Sequence, residues 1–276
     1  MLNRHTMSAM ADEFRKIAAA APQQQGQEPP PQQVSSRLTW APGSAFITRG
    51  GSMVHGSPKR GEDQEAEAFL NSRLVPDLIH HAEGALRQGR KVVCLSEGGV
   101  QGEDGSEQRV LADAIDQLHR KPQHAGRILH DSWDDEEVRA IGETEDGHPH
   151  IDREAPIFKR LVKVFKDPDL VDAALQAGLS GEGKKQTGQI LASAQAQSKL
   201  IALGAPSNNP KKLLMLARPE QHGGPRTQLS AVMEHYDHER RRNLVKKLKE
   251  HEEQGNVVIT APHHAHLQHV QAALRS

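Results

Sequence analysis

The sequence predicts an α/β fold: a mostly parallel central sheet flanked by helices on both faces, with a helical insertion. Three observations predict it. Short, consecutively apolar runs recur along the chain, as in strands covered on both sides. Segments with apolar residues at helical spacing lie between them. The length, 276 residues, suits one core with a tail.

The strand-like runs are Ala45 to Thr48, Lys91 to Leu95, Arg127 to His130, Lys212 to Leu216 and Asn256 to Thr260. Each is rich in Leu or β-branched residues. Among the helices, one carries the stripe Val110, Leu111, Ala114, Ile115 and Leu118. A second carries Ile157, Phe158, Leu161, Val162 and Phe165. A third opens with Leu229, Val232, Met233 and Tyr236 and runs, highly charged, to about Gln254. Pro168 behind Asp167 suits a first helical turn with a capping carboxylate. Gly255 is placed to stop the last long helix before the final strand. The stretch 143–210 is poor in strand signal and reads as the helical insertion, inside a domain spanning 38–276.

Residues 1–37 read differently. Met7 to Ala21 suits one Ala-rich helix, and the Gln- and Pro-rich run Pro22 to Gln33 offers nothing to bury. A disordered leader and linker is expected, either an unremarkable terminus or a polar address signal of the type III secretion kind.

Composition removes several classes. With 35 basic against 36 acidic residues, no basic surplus points to a nucleic-acid backbone. Five Phe, two Trp and one Tyr leave few platforms for stacking bases. The single Cys94 excludes an intramolecular disulfide and any Cys-rich zinc module. No apolar run is long enough to span a bilayer or to serve as a secretory signal peptide, so neither nucleic acid nor membrane insertion is expected.

In an open parallel sheet, ligands bind outside the carboxyl ends of the strands. Arg49 to Gly56, including Ser52 and His55, follow the first run, and Ser96-Glu97-Gly98-Gly99 follow the second. His130 and Asp131 end the third, Arg218 follows the fourth, and the fifth leads into His263-His264-Ala265-His266. Any one of these polar groups is explained by a chain meeting water. Together, His55, Glu97, His263 and His266 are a candidate catalytic set, because imidazoles and a carboxylate can exchange protons at neutral pH. The same groups could hold a divalent metal, although His-x-x-His alone is a weak ligand pattern. Chemistry without a required cofactor is the expectation, with haem or a divalent metal as the alternative.

Other motifs point elsewhere. Gly178 to Lys184 matches a phosphate-binding loop, but Lys185 stands where Ser or Thr should reach magnesium, and a helical pattern precedes it. Ser52 lacks the glycine two residues later that a nucleophile elbow needs, and is read as a positioning group. Glu234 to Glu239, followed by Arg240-Arg241-Arg242, reads as a solvated helix face. Cys94 reads as a small buried hydrophobe.

Gly51-Ser52-Met53-Val54-His55-Gly56, Glu97-Gly98 and His263-His264-Ala265-His266, taken in order, resemble the erythromycin-esterase-like superfamily with its ChaN-like and TraB/Tiki-like branches. The likeness covers residues 44–270 and is poor across 143–210. In the esterase branch the first motif carries an acid where this chain has Ser52. Leader and domain together look like a plant-pathogen type III effector of the Hop BA class. The resemblance implies secretion by a type III system into the host-cell cytosol and an esterase-like hydrolase. Glu97 or His55 would be the general base on water, with His263 and His266 as acid and oxyanion partner. Lys59, Arg60 and Arg218, with Ser52, would orient an anionic substrate group. The partner would be a host small molecule or host protein. The other classes are a haem or metal binder without turnover, and a non-enzymatic effector recognised by a host immune receptor.

Overall fold

The computed structural model describes residues 45–58, 64–97, 111, 115–180, 190, 192–205, 209–219 and 224–275. The chain divides into Met1–Thr39 and Trp40–Ser276, and every described residue belongs to the second unit. The leader expected at 1–37, and Lys59 and Arg60, lie outside the described residues.

The fold is α/β. A five-stranded sheet runs in the order β1-β2-β7-β3-β4. Its strands are β1 (Ala45–Ile47), β2 (Met53–His55), β3 (Val92–Ser96), β4 (Ile128–Ser132) and β7 (Val257–Thr260). Within this sheet β1 pairs antiparallel with β2, and β2, β7, β3 and β4 run parallel. The helices are α1 (Gln64–Phe69), α2 (Val75–Arg87), α3 (Pro156–Phe165), α4 (Pro168–Leu179), α5 (Ala194–Ala202), α6 (Pro210–Ala217), α7 (Gln228–Glu253) and α8 (His264–Arg275). A π-helical turn, Leu70–Leu74, joins α1 to α2.

Every residue of β3 and β7 is buried, which is why they read as unbroken apolar runs. Their pleat divides the core. Val92 and Cys94 pack with Leu78, Ala82 and Leu86 of α2. Val93 and Leu95 pack with Leu244 and Leu248 of α7 and with Leu267 and Val270 of α8. A third cluster centres on α4, whose residues from Leu170 to Leu179 are all buried, with contributions from α3, α5, α6 and α7. The Asp167 carboxylate accepts the Leu170 N–H (2.8 Å) and Pro168 occupies the first turn, as the sequence predicted.

Three expectations need correction. Lys212 to Leu216 is not a strand but lies in α6: Asn209 caps it by accepting the Lys212 N–H (3.3 Å), and Pro210 starts it. A short apolar run cannot by itself distinguish strand from buried helix, and here the cap decided. The residues that follow the first run, read as polar groups at its carboxyl end, do not stay there. They turn at Gly51 (φ 87°) and return as β2, so His55 ends a strand of its own. Finally, the stretch 143–210, read as poor in strand signal, opens on β6 (Pro149–Ile151), which pairs with β5 (Ile141–Glu143) in a hairpin turning at Gly147. Among the described residues, no helix is long and apolar enough to cross a membrane.

Candidate functional site

The parallel register sends the ends of β2, β7, β3 and β4 toward one edge, so His55, His263, Glu97 and Asp134 follow neighbouring strands there. They do not form one group. His55 sits with the α1–α2 side: its ring lies 5.6 Å from that of Phe69 and its Nε2 is 4.0 Å from the Asp77 carboxylate. Its Nδ1–H donates to the Gly56 carbonyl (3.0 Å), which leaves Nε2 as the acceptor. Burial lowers its pKa, against the opposing pull of Gly56 and Asp77, so the imidazole is held neutral.

Glu97 turns to the α7 side. Its carboxylate pairs with the Arg240 guanidinium, which also donates to Asp134 through Nε (3.1 Å) and Nη2 (3.2 Å). Arg240 therefore joins carboxylates that follow two adjacent strands, β3 and β4. Its guanidinium lies 5.1 Å from the Trp133 ring and 5.6 Å from the Tyr236 ring. Burial opposes its charge, but Asp134 and Glu97 overcome that and hold it firmly cationic. Asp134 moves the other way: burial, with Glu97 adding repulsion, raises its pKa despite Arg240. Glu97 keeps 30 % of its side chain open to solvent.

A second buried pair adjoins the first. Arg218, at the end of α6, donates to Asp237 of α7 through Nη1 (2.6 Å) and Nη2 (3.4 Å). Burial favours the protonated acid, but Arg218 outweighs it and lowers the Asp237 pKa. His266 lies in the field of these groups. Burial, with Arg240, Arg241 and Arg218 adding repulsion against the pull of Asp237, lowers its pKa to about 4. Its Nδ1 is buried and has no hydrogen-bond partner among the described residues. The His263 ring is 6.2 Å from it, fixed where residue 263 pairs with Ser57 as a parallel bridge.

Ser52 is elsewhere. It precedes β2, at the end of that strand opposite His55, and its buried hydroxyl accepts the Val258 N–H (2.9 Å). It pins β2 to β7. Of the predicted residues, the structure groups Glu97, Arg218, His266 and His263, and leaves His55 and Ser52 apart.

Sequence reasoning missed Arg240, Asp134 and Asp237, and placed Tyr236 only on an apolar stripe. The reading of Glu234 to Glu239 as a solvated face is corrected: Tyr236 is buried while Glu234 and His238 are exposed, and of the arginines that follow Arg240 is buried and Arg242 exposed. Helical period separates them, since 236, 240 and 243 fall on one stripe. That stripe continues along the edge strand. Asn243 donates to the Trp133 carbonyl (2.8 Å) and to Asp135 (3.0 Å), Lys247 reaches Asp135 (3.1 Å), and His251 meets Asp131 (2.9 Å). A Trp-Asp-Asp run just after an apolar strand was the available signal.

Among the described residues, no group of three or more His, Cys, Asp and Glu is placed to hold a metal ion. Burial pushes the Cys94 thiol up to about 12, which keeps it unreactive. No protein-family model, curated protein or solved structure matches the chain at a significant level.

Proposed function

We propose that the domain is an esterase-like hydrolase working at the Glu97 side of the sheet edge, carried by a bacterial type III effector that acts inside a host cell on immunity or cell death. One observation carries the hydrolytic reading. A single buried guanidinium, Arg240, is shared by Glu97 and Asp134, and burial raises the Asp134 pKa in spite of it. A buried carboxyl group pushed toward its protonated form, beside a second carboxyl group open to solvent, is what acid–base hydrolysis needs. Glu97, partly open to solvent, takes a proton from water. Asp134, whose burial favours its protonated form, stands as the acid. His266, held neutral, accepts a hydrogen bond, and His263 meets charge developing on the substrate. Glu97 rather than His55 is the base in this reading, because His55 lies with the other apolar cluster. In the same reading the sheet is covered by helices on both faces, and the helices between 143 and 210 are an insertion. The split of alternate β3 residues between two apolar clusters supports the first point. The Gln- and Pro-rich leader and the order of the strand-end motifs support delivery to a host cell.

The test is hydrolysis of a panel of activated esters by Glu97→Gln and Asp134→Asn. Each should lose about 10²–10⁴-fold in kcat/KM. His55→Asn should retain activity. Loss in His55→Asn with full activity in Glu97→Gln would overturn the assignment.

A further inference from the structure

A cavity of about 1000 Å³ lies between α7, α8, Arg160 of α3 and residues Glu137 and Val138. It is separate from the Arg240 cluster, none of whose charged groups lines it. Most of its charges cancel in pairs. Arg160 meets Glu137 (3.1 Å) and Glu239 (3.2 Å), Arg242 meets Glu239 (3.1 Å), and Lys246 meets Glu250 (3.9 Å).

Arg241, Lys249 and Glu253 remain. None has a hydrogen-bonded or ion-paired partner among the described residues, and the Arg241 Nε is buried. They are spread along one helix. By helical rise, Glu253 is about 18 Å from Arg241 and Lys249 about 12 Å. The Arg241 end is therefore positive, and the surplus acid is too far away to neutralise it. The neighbouring His238 reports the same field: burial, then Arg241 and Arg242, lower its pKa. The same lining includes the apolar side chains of Val138, Val245 and Ala272, with Asn243 and His269. A half-buried guanidinium with open donors, next to apolar wall, is matched by a molecule with one anionic head and an apolar body.

We propose that this cavity binds a small organic anion, its carboxylate or phosphate head on Arg241 and its apolar body along Val138, Val245 and Ala272. The site stands independently of the hydrolytic reading. It also touches that reading, because Arg241 is one of the charges acting on His266. An anion on Arg241 offsets that repulsion.

Octanoate and octyl phosphate are the probes, followed by calorimetry and by the His266 imidazole signal in NMR. At least one should bind the wild-type chain saturably, and their ranking identifies the head group. Arg241→Gln should weaken binding about tenfold or more, as loss of a charge-assisted hydrogen bond does. Ala272→Trp, which fills the cavity from α8, should block it. Bound probe should raise the His266 pKa from about 4. Absence of saturable binding by both probes, equal affinity in Arg241→Gln, or tighter binding of octylamine overturns the proposal. Inorganic phosphate binding as tightly as octyl phosphate overturns the role of the apolar wall.

Discussion

Two imidazole-bearing regions of the same sheet edge solve the problem of burying polar groups in different ways. Around His55 the protein keeps one group, removes its charge by burial, and satisfies Nδ1 with the next carbonyl. Around Arg240 it buries several charges at once and lets them neutralise one another, Arg240 with Glu97 and Asp134, and Arg218 with Asp237. A neutral buried group needs only a hydrogen bond, whereas a buried charge needs a counter-charge. The second arrangement is the more fragile to deletion, because removing one partner strands a buried charge.

The sharpest break in that contrast is Arg240→Met. It strands Asp134 and Glu97 without their shared cation and should cost about 3–5 kcal/mol in urea unfolding. If the cost is below about 1 kcal/mol, the cluster is not held by charge pairing. His55→Leu on the other side should cost less, about 1–3 kcal/mol, because it leaves only the Gly56 carbonyl unsatisfied. Ser52→Ala, which orphans the buried Val258 N–H, should fall in the same range by the same measurement.

Acid sharpens the comparison further. Burial depresses both imidazoles in the folded chain, so the unfolded chain takes up protons first. Their contribution is complete above the ordinary histidine value of 6.5 and is lost as pH falls, for His266 down through about 4. Unfolding free energy should therefore decline between pH 6.5 and pH 4, and His266→Asn should flatten that slope. An unchanged slope in this variant would show that His266 is not held neutral. The smallest effect belongs to the outer stripe of α7. Arg242→Ala removes an exposed pair with Glu239 and should change stability by no more than about 0.5 kcal/mol.

Much of the fold was legible because apolar pattern and cap chemistry are local. The β3 and β7 runs, the Asp167–Pro168 start of α4 and the α7 stop at Gly255 each follow from a few adjacent residues. Lys212 to Leu216 was misread because five consecutive residues carry no period, and the deciding groups, Asn209 and Pro210, lie just outside them. The site was half legible. Position after a strand pointed to Glu97, His263 and His266, but not to which way a side chain turns.

The amino-acid order alone determined which segments become strands, where helices begin and stop, and which polar residues arrive at the carboxyl edge of the sheet. Only the folded chain decided which of those residues share a space. The pleat of β2 and β3 sent His55 toward Phe69 and Glu97 toward Arg240, and the 3.6-residue period of α7 carried Tyr236, Asp237 and Arg240 inward from a stretch that looks uniformly charged. Partners brought together from positions 97, 134, 218, 237, 240 and 266 are distant in sequence, and the low dielectric around Arg240 that makes their pairing matter exists only once the core has closed around it.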